Sequence, residues 1–296
     1  MPPKKDYVSP EGLRLDGRRP AELRNISGAL NIFPHSDGSA MIAFGNTKIL
    51  ATVHGPRECS GSRSNQIHDR ANLNIRFHAA AFSSTGGDRH KSGKADRKLL
   101  EWSRMLEEAF ERVLLLHLYP RSQIDVFVEI VGADGAVLMT AANAVTLALM
   151  NAGIAMQDYL IGVSAIYFAG QRGPNGMTTG SAIVTDPSRL EEVSGAPIIR
   201  ALLLGRSSRP ISLVIEKRLP SDLLPGMLSS VKKAAVRIWE TLDGEIVRPF
   251  SESVLGARGL LVGRGTSIAS FLLEKRNRSE DEIQEEIGLS EDFPNK

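Results

Sequence analysis

The chain changes periodicity twice in the same way, which restricts the folds open to it more than any other feature. Residues 29–56, "ALNIFPHSDGSAMIAFGNTKILATVHGP", alternate apolar and polar positions in steps of two, broken at Asp37-Gly38 and Gly45-Asn46, and "ANLNIRFHAAAF" (71–82) alternates again. Period two sends successive side chains to opposite faces of a strand, and Asp-Gly or Gly-Asn pairs reverse the chain, so three or four strands of a half-buried sheet are expected. The period then lengthens. In "DRKLLEWSRMLEEAFERVLLLHL" Leu99, Trp102, Leu106, Phe110, Val113 and Leu114 recur at helical spacing, which predicts one helix closed by Tyr119-Pro120. "QIDVFVEIVG" reads as a buried strand and "MTAANAVTLALMNAG" as a helix ending at Gly153. The second half repeats this grammar: "IGVSAIYFAG", "GSAIVTD" and "PISLVIEK" as strands, then "LLPGMLSSVKKAAVRIWETLDGEIVRPF" as one long helix or a broken one. Strand groups followed by helices, twice over, imply a mixed-sheet α/β or α+β fold of two similar layers. "SSTGGDRHKSGKA" is expected to be an exposed loop and "AGQRGPNGMTTG" a lengthened hairpin loop.

Bulk properties narrow the function. With 296 residues and 42% hydrophobic content the chain can bury one substantial core or two modest ones. The single cysteine, Cys59, leaves no internal disulfide and no cysteine-based zinc site, and points to a reducing, intracellular compartment. No apolar run is long enough to span a bilayer, so no membrane contact is expected. His68, His78 and His90 lack metal-ligand spacing, and no metal or other cofactor is expected. Trp102 and Trp239 sit in apolar helical stripes and are read as core. The net charge of +2 is too small to argue for nucleic acid, but cations crowd the stretch from Arg57 to Arg104 while "SEDEIQEEIGLSEDF" near the end is acidic. Any polyanion contact should therefore fall in the first half.

One turn raises a chemical question. In "VEIVGADGAVLMTAANAV" (128–145) a strand runs through Ala133, Asp134, Gly135 and Ala136 into an apolar helix. The first N–H groups of such a helix lack partners and point outward, which makes the turn a ready anion seat. No cation follows, because positions 137–139 are Val137, Leu138 and Met139.

"YVSPEGLRLDGRRPAELR", "DGSAMIAFGNTKILATVHGP", "YPRSQIDVFVEI" with "ADGA" after it, and "TLALMNAGIAMQDYLIGVSA" closely resemble the RNase PH family over roughly residues 7–250. Within it they are most similar to ring subunits of the eukaryotic RNA exosome. The resemblance implies an RNase PH-like fold of duplicated β–α units with helices packed on mixed sheets. It implies a domain over 1–250, with halves at about 7–155 and 156–250, and an extension over 251–296 carrying the acidic tail.

Active members of that family degrade RNA from its 3′ end with phosphate as nucleophile, using a Gly-Ser/Thr-Arg step in this turn and two acidic positions six residues apart. Here Ala136, Val137 and Leu138 take the first set of places. An apolar Leu cannot replace the guanidinium fork that recognises phosphate. Of the acidic pair, Glu192 remains and the second position falls at Ile198. The same stretch holds Asp186 and Glu191, and Glu191 and Glu192 are otherwise expected on a solvated edge. The resemblance also assigns RNA-backbone contact to Arg63, Ser64, Arg97 and Lys98.

The expectation is thus a non-catalytic core subunit that lines a hexameric ring channel with other RNase PH-like subunits. Its partners would be single-stranded RNA, cap subunits with RNA-binding domains and a hydrolytic 3′–5′ exoribonuclease, serving RNA processing and decay in nucleus, nucleolus and cytoplasm. The alternative is an active phosphate-dependent 3′–5′ exoribonuclease.

Overall fold

The computed structural model describes residues 7–9, 11–58, 68–83, 97–169, 181–252 and 254. The chain divides into two units, Met1–Leu242 and Asp243–Lys296. The first unit holds two sheets. One contains β1 (Ile26–Leu30), β2 (Gly38–Phe44), β3 (Thr47–Glu58), β4 (Asn72–Ala79) and β5 (Ser122–Gly132), in the order β1-β2-β3-β5-β4. The β2–β3 hairpin turns at Gly45-Asn46, where Gly45 takes φ +56°, so Phe44 faces Thr47 across the ladder. Only β4 and β5 run parallel, and helix α1 (Arg97–Glu111) lies in the crossover that a parallel pair requires. The other sheet contains β6 (Leu160–Phe168), β7 (Ala182–Thr185), β8 (Ile198–Leu204) and β9 (Pro210–Glu216), antiparallel throughout in the order β7-β6-β8-β9. Helices α3 (Arg189–Val193) and α4 (Leu224–Thr241) complete the unit, α4 packing on β6. This is the mixed-sheet α/β architecture expected from the patterning.

Helix α2 (Val137–Asn151) is the shared core, packed against β2 and β3 of the first sheet and β6 of the second. Twelve of its fifteen residues are buried, which is why its sequence shows no polar face. A glycine on each sheet lets it sit close. A Cβ at Gly38 would stand 2.3 Å from the Ala148 carbonyl, and one at Gly162 would stand 2.5 Å from that of Met139. Asn143 fixes the register with Gly162, donating to its carbonyl at 3.2 Å and accepting its N–H at 2.8 Å. Truncating Leu147 or Leu149, both fully buried here, would cost about 2–5 kcal/mol.

Three readings from sequence are corrected. Helix α1 stops at Glu111 rather than at Tyr119-Pro120. Val113, Leu114 and Leu116 are all buried, and a continued helix would spread them round its circumference. Instead the chain bridges to residues 155–157, with Leu115 N–H donating to Ala155 and Gln157 N–H to Val113 at 3.0 Å each. Second, "IIRALLL" forms strand β8 between β6 and β9, an element absent from the expected set. Third, the two tryptophans are only half-buried: Trp102 meets Phe77 edge-to-face and carries Lys98 Nζ 4.8 Å from its ring centre, and Trp239 covers Gly205.

On β5, Asp125 is buried and accepts hydrogen bonds from Gln123 at 2.7 Å, Asn74 at 3.2 Å and Arg57. Burial pushes its carboxyl up, but these donors outweigh burial and hold it below the ordinary carboxylate value. The second unit's described residues include part of a π-helical turn, Leu242–Val247, and Arg248 Nε donates to Asp243 at 2.9 Å. Among the described residues no helix is long and apolar enough to cross a membrane.

Candidate functional site

The turn between β5 and α2 is built around two left-handed residues. Gly135 takes φ +83°, and a Cβ there would meet Pro187 O at 2.4 Å and Ser188 C at 2.5 Å. Ala136 caps α2 at φ +51°, a conformation that costs a residue bearing a Cβ about 1–2 kcal/mol. Hydrogen bonds hold this shape. Thr47 Oγ1 accepts the Asp134 N–H at 3.1 Å and donates to the Gly135 carbonyl at 2.9 Å. Arg24 donates to the carbonyls of Asp134 at 2.7 Å and Gly135 at 3.3 Å, and its fork grips Asp186 at 2.9 and 2.6 Å. Burial pulls the Arg24 pKa down, but the Asp186 bond and charge outweigh it and raise the pKa above its ordinary value, so Arg24 stays a fixed cation.

Asp186 and Glu191 are therefore structural. Arg18 adds a second cation to Asp186 at 3.7 Å. Glu191 is fully buried, not on a solvated edge: Arg14 clasps it with bonds of 2.8 and 2.5 Å, and it also accepts the Ser188 N–H at 2.8 Å. A carboxylate can be taken out of water only when its lone pairs are met in this way.

Glu192 and Ile198 do come together. Both line a cavity of about 520 Å³ that Gly135, Val137 and Leu138 also line, so the β5–α2 turn and the two positions aligned with the acidic pair share one cavity. Leu138 and Ile198 are each 3% exposed, and they give the cavity apolar walls. Glu192 turns its carboxylate to the start of α2: Oε1 accepts the Ala136 N–H at 3.0 Å. Arg200 Nη2 stands 3.8 Å from the same oxygen, while its Nη1 pairs with Glu216. No group of three or more His, Cys, Asp or Glu able to hold a metal occurs among the described residues.

Of the four residues assigned to RNA, Arg63 and Ser64 lie outside the described residues, as do Cys59 and His90. Arg97 and Lys98 occupy the first turn of α1, both exposed, and Lys98 reaches the rim of the same cavity. A helix N-terminus favours acids, so the dipole does not account for two cations there, although Lys98 also sets its ammonium over Trp102 one turn on in the same helix. Sequence reasoning missed Arg14, Arg24, Thr47, Ser83 and Arg200. The clustered arginines of "RLDGRRPAELR" were the available signal for the first two, and no local pattern marks the others.

Comparison with known proteins gives the same direction. Residues 22–155 match the RNase PH, 3′ exoribonuclease family, domain 1. The chain is 40% identical over 238 residues to the mouse (Mus musculus) exosome complex component RRP41, a match covering 80% of this chain and 92% of that one. It is 34% identical over 254 residues to exosome complex component SKI6 of Saccharomyces cerevisiae, covering 85% and 97%. A solved Archaeoglobus fulgidus exosome with RNA bound to the active site superposes with a TM-score of 0.65 at 19% identity, over 78% of this chain and 93% of that one.

Proposed function

The chain belongs to the RNase PH, 3′ exoribonuclease family, and on that premise we propose that it is a non-catalytic, RNA-contacting core subunit of a eukaryotic exosome ring. Its RNase PH-like domain, residues 1–250, sits beside related subunits in a hexamer, with residues 251–296 as an extension. The ring passes single-stranded RNA beneath cap subunits to a hydrolytic exoribonuclease carried by another chain. It works wherever RNA is trimmed or destroyed, in nucleus, nucleolus and cytoplasm. Relatives bearing exosome component names support membership of such a ring.

One observation carries the absence of catalysis. Phosphorolysis needs cations and a hydroxyl to hold phosphate and a carboxylate pair for proton or metal work, and the cavity presents Val137, Leu138 and Ile198 in those places. RNA contact is a separate property, and it falls to Arg63, Ser64, Arg97 and Lys98. Charge contacts to phosphates attract all sequences equally, as a channel for many RNAs requires.

The test is the variant R63E/R97E/K98E in the complete complex. It should assemble normally, protect RNA poorly, and lower the log–log salt slope by about 0.7 for each lost single-strand phosphate contact. Loss of assembly, or RNA protection equal to wild type, would contradict the assignment. The second reading, an active phosphate-dependent exoribonuclease, draws on the cations lining the same cavity, Lys98, Arg189, Arg200 and Lys217. It requires nucleoside diphosphates as products.

A further inference from the structure

We propose that Trp102 is a base-stacking residue: a base of single-stranded RNA lies on the indole face that Lys98 covers in the free chain, while Lys98 moves to the RNA backbone. The proposal rests on the reading of the first turn of α1 as an RNA contact, and it names a residue that this reading does not include. Helix α1 carries Trp102, Leu106 and Phe110 as an apolar stripe in steps of four. Leu106 and Phe110 are 0% and 1% exposed, but Trp102 is only half-buried, so the stripe leaves the core at its first member. Phe77 of β4 holds the ring edge-to-face, with centroids 6.2 Å apart. Packing thus fixes the indole, and a ring already fixed meets a base at little further entropic cost. Lys98 lies four residues before Trp102, on the same side of the helix, and sets its ammonium 4.8 Å from the ring centre. Lys98 is exposed, so the ring face it covers is reached from solvent. Both side chains line the cavity described above.

A cation over a ring at an exposed site is a weak contact, because the ammonium keeps most of its hydration. A phosphate oxygen offers the same ammonium a charge-assisted hydrogen bond, roughly twice as strong as a neutral one. Exchanging ring for phosphate bares an indole face one helical turn from the neutralised charge. An aromatic face for the base beside a cation for the backbone is the combination that binds single strands with little regard to sequence.

The test measures affinity in the complete complex, under conditions where RNA is not degraded, for oligoadenylate and for an abasic ribose-phosphate strand of the same length. W102A should bind oligoadenylate roughly 5- to 100-fold more weakly than wild type, the value of one stacked base, and should bind the abasic strand as wild type does. W102L, which fills apolar space without a ring, should follow W102A, and it carries the test if W102A does not fold. W102F should keep most of the affinity. K98E should weaken both strands alike and flatten the salt dependence. Equal losses on the two strands in W102A and W102L would show a packing role that disturbs Lys98 and would overturn the proposal, as would wild-type affinity of both variants for oligoadenylate. K98E that matches wild type on both strands would refute the RNA contact on which the proposal rests. Failure of the Trp102 variants alone leaves that contact standing and removes only the stacking role.

Discussion

Arg14→Ala should destabilise the chain by about 3–5 kcal/mol, the usual cost of stranding a buried charge. Both side chains of the Arg14–Glu191 pair are fully buried. The guanidinium makes two bonds to the carboxylate, at 2.8 and 2.5 Å, and donates at 3.0 Å to each of the carbonyls of Thr185 and Asp186. Its removal leaves Glu191 with the Ser188 N–H at 2.8 Å and no counter-charge, takes a donor from the Thr185 carbonyl that ends β7, and leaves the Asp186 carbonyl with Arg18 at 3.4 Å. The Coulomb attraction itself is not the measure, because forming the pair already cost the hydration of both ions. The loss is the penalty of an unpaired buried carboxylate. At roughly 2–4 °C per kcal/mol for a chain somewhat smaller than this one, the melting temperature should fall by about 10 °C. Thermal and urea unfolding followed by circular dichroism would measure it on R14A, E191A and an R14M/E191L double variant. The double variant should recover most of the loss, since an apolar pair of similar volume needs no counter-charge. R14A within about 1 kcal/mol of wild type would refute the buried clasp, since that is what a solvated pair is worth.

Gly135→Ala should cost about 2–4 kcal/mol, because φ +83° is strained for alanine and its Cβ would overlap the backbone of Pro187 and Ser188; an unchanged denaturant midpoint would show that the turn can move. The depressed carboxyl of Asp125 gives a contribution present above the ordinary carboxylate range and lost as pH falls through its lower folded value. D125N should therefore flatten the acid limb of the stability–pH curve below about pH 4, and an unaltered limb would count against its three donors. The triple change Val137→Ser, Leu138→Arg, Ile198→Asp should restore weak phosphate binding without turnover. Transition-state donors must sit within about 0.5 Å of their positions on a supporting shell, and three side chains do not supply that. Nucleoside diphosphate release by this variant would show the scaffold to be closer to competence than described.

The strands from β2 to β7, together with β9 and helix α2, were legible because their periods are strong and local, whereas β1 (Ile26–Leu30) begins ahead of the stretch whose alternation marked the first strand and shares only Ala29 and Leu30 with it. β8 was not, because "IIRALLL" is a short apolar run that periodicity cannot separate from a buried helix segment. The end of α1 was misplaced for a tertiary reason: Val113 and Leu114 continue the helical spacing of Phe110 in sequence, yet the chain leaves the helix after Glu111 and buries them, with Leu116, by bridging residues 155–157. At the site, the apolar character of Val137, Leu138 and Ile198 was readable from residue identity alone, and the structure places all three along one cavity. The polar contacts around them were not readable. That Glu191 is a buried ion-pair partner, while its neighbour Glu192 caps α2, depends on contacts to Arg14 and Ala136, which lie 177 and 56 residues away in sequence.

The most direct test of the central claim is to incubate the chain, with its neighbouring ring subunit, with 5′-labelled single-stranded RNA, magnesium and inorganic phosphate, and to follow both bound RNA and released nucleotides. RNA retained at full length, with binding that weakens in salt and with no nucleoside diphosphate, is the predicted result. Shortening of the RNA from its 3′ end with nucleoside diphosphates accumulating in step would contradict it.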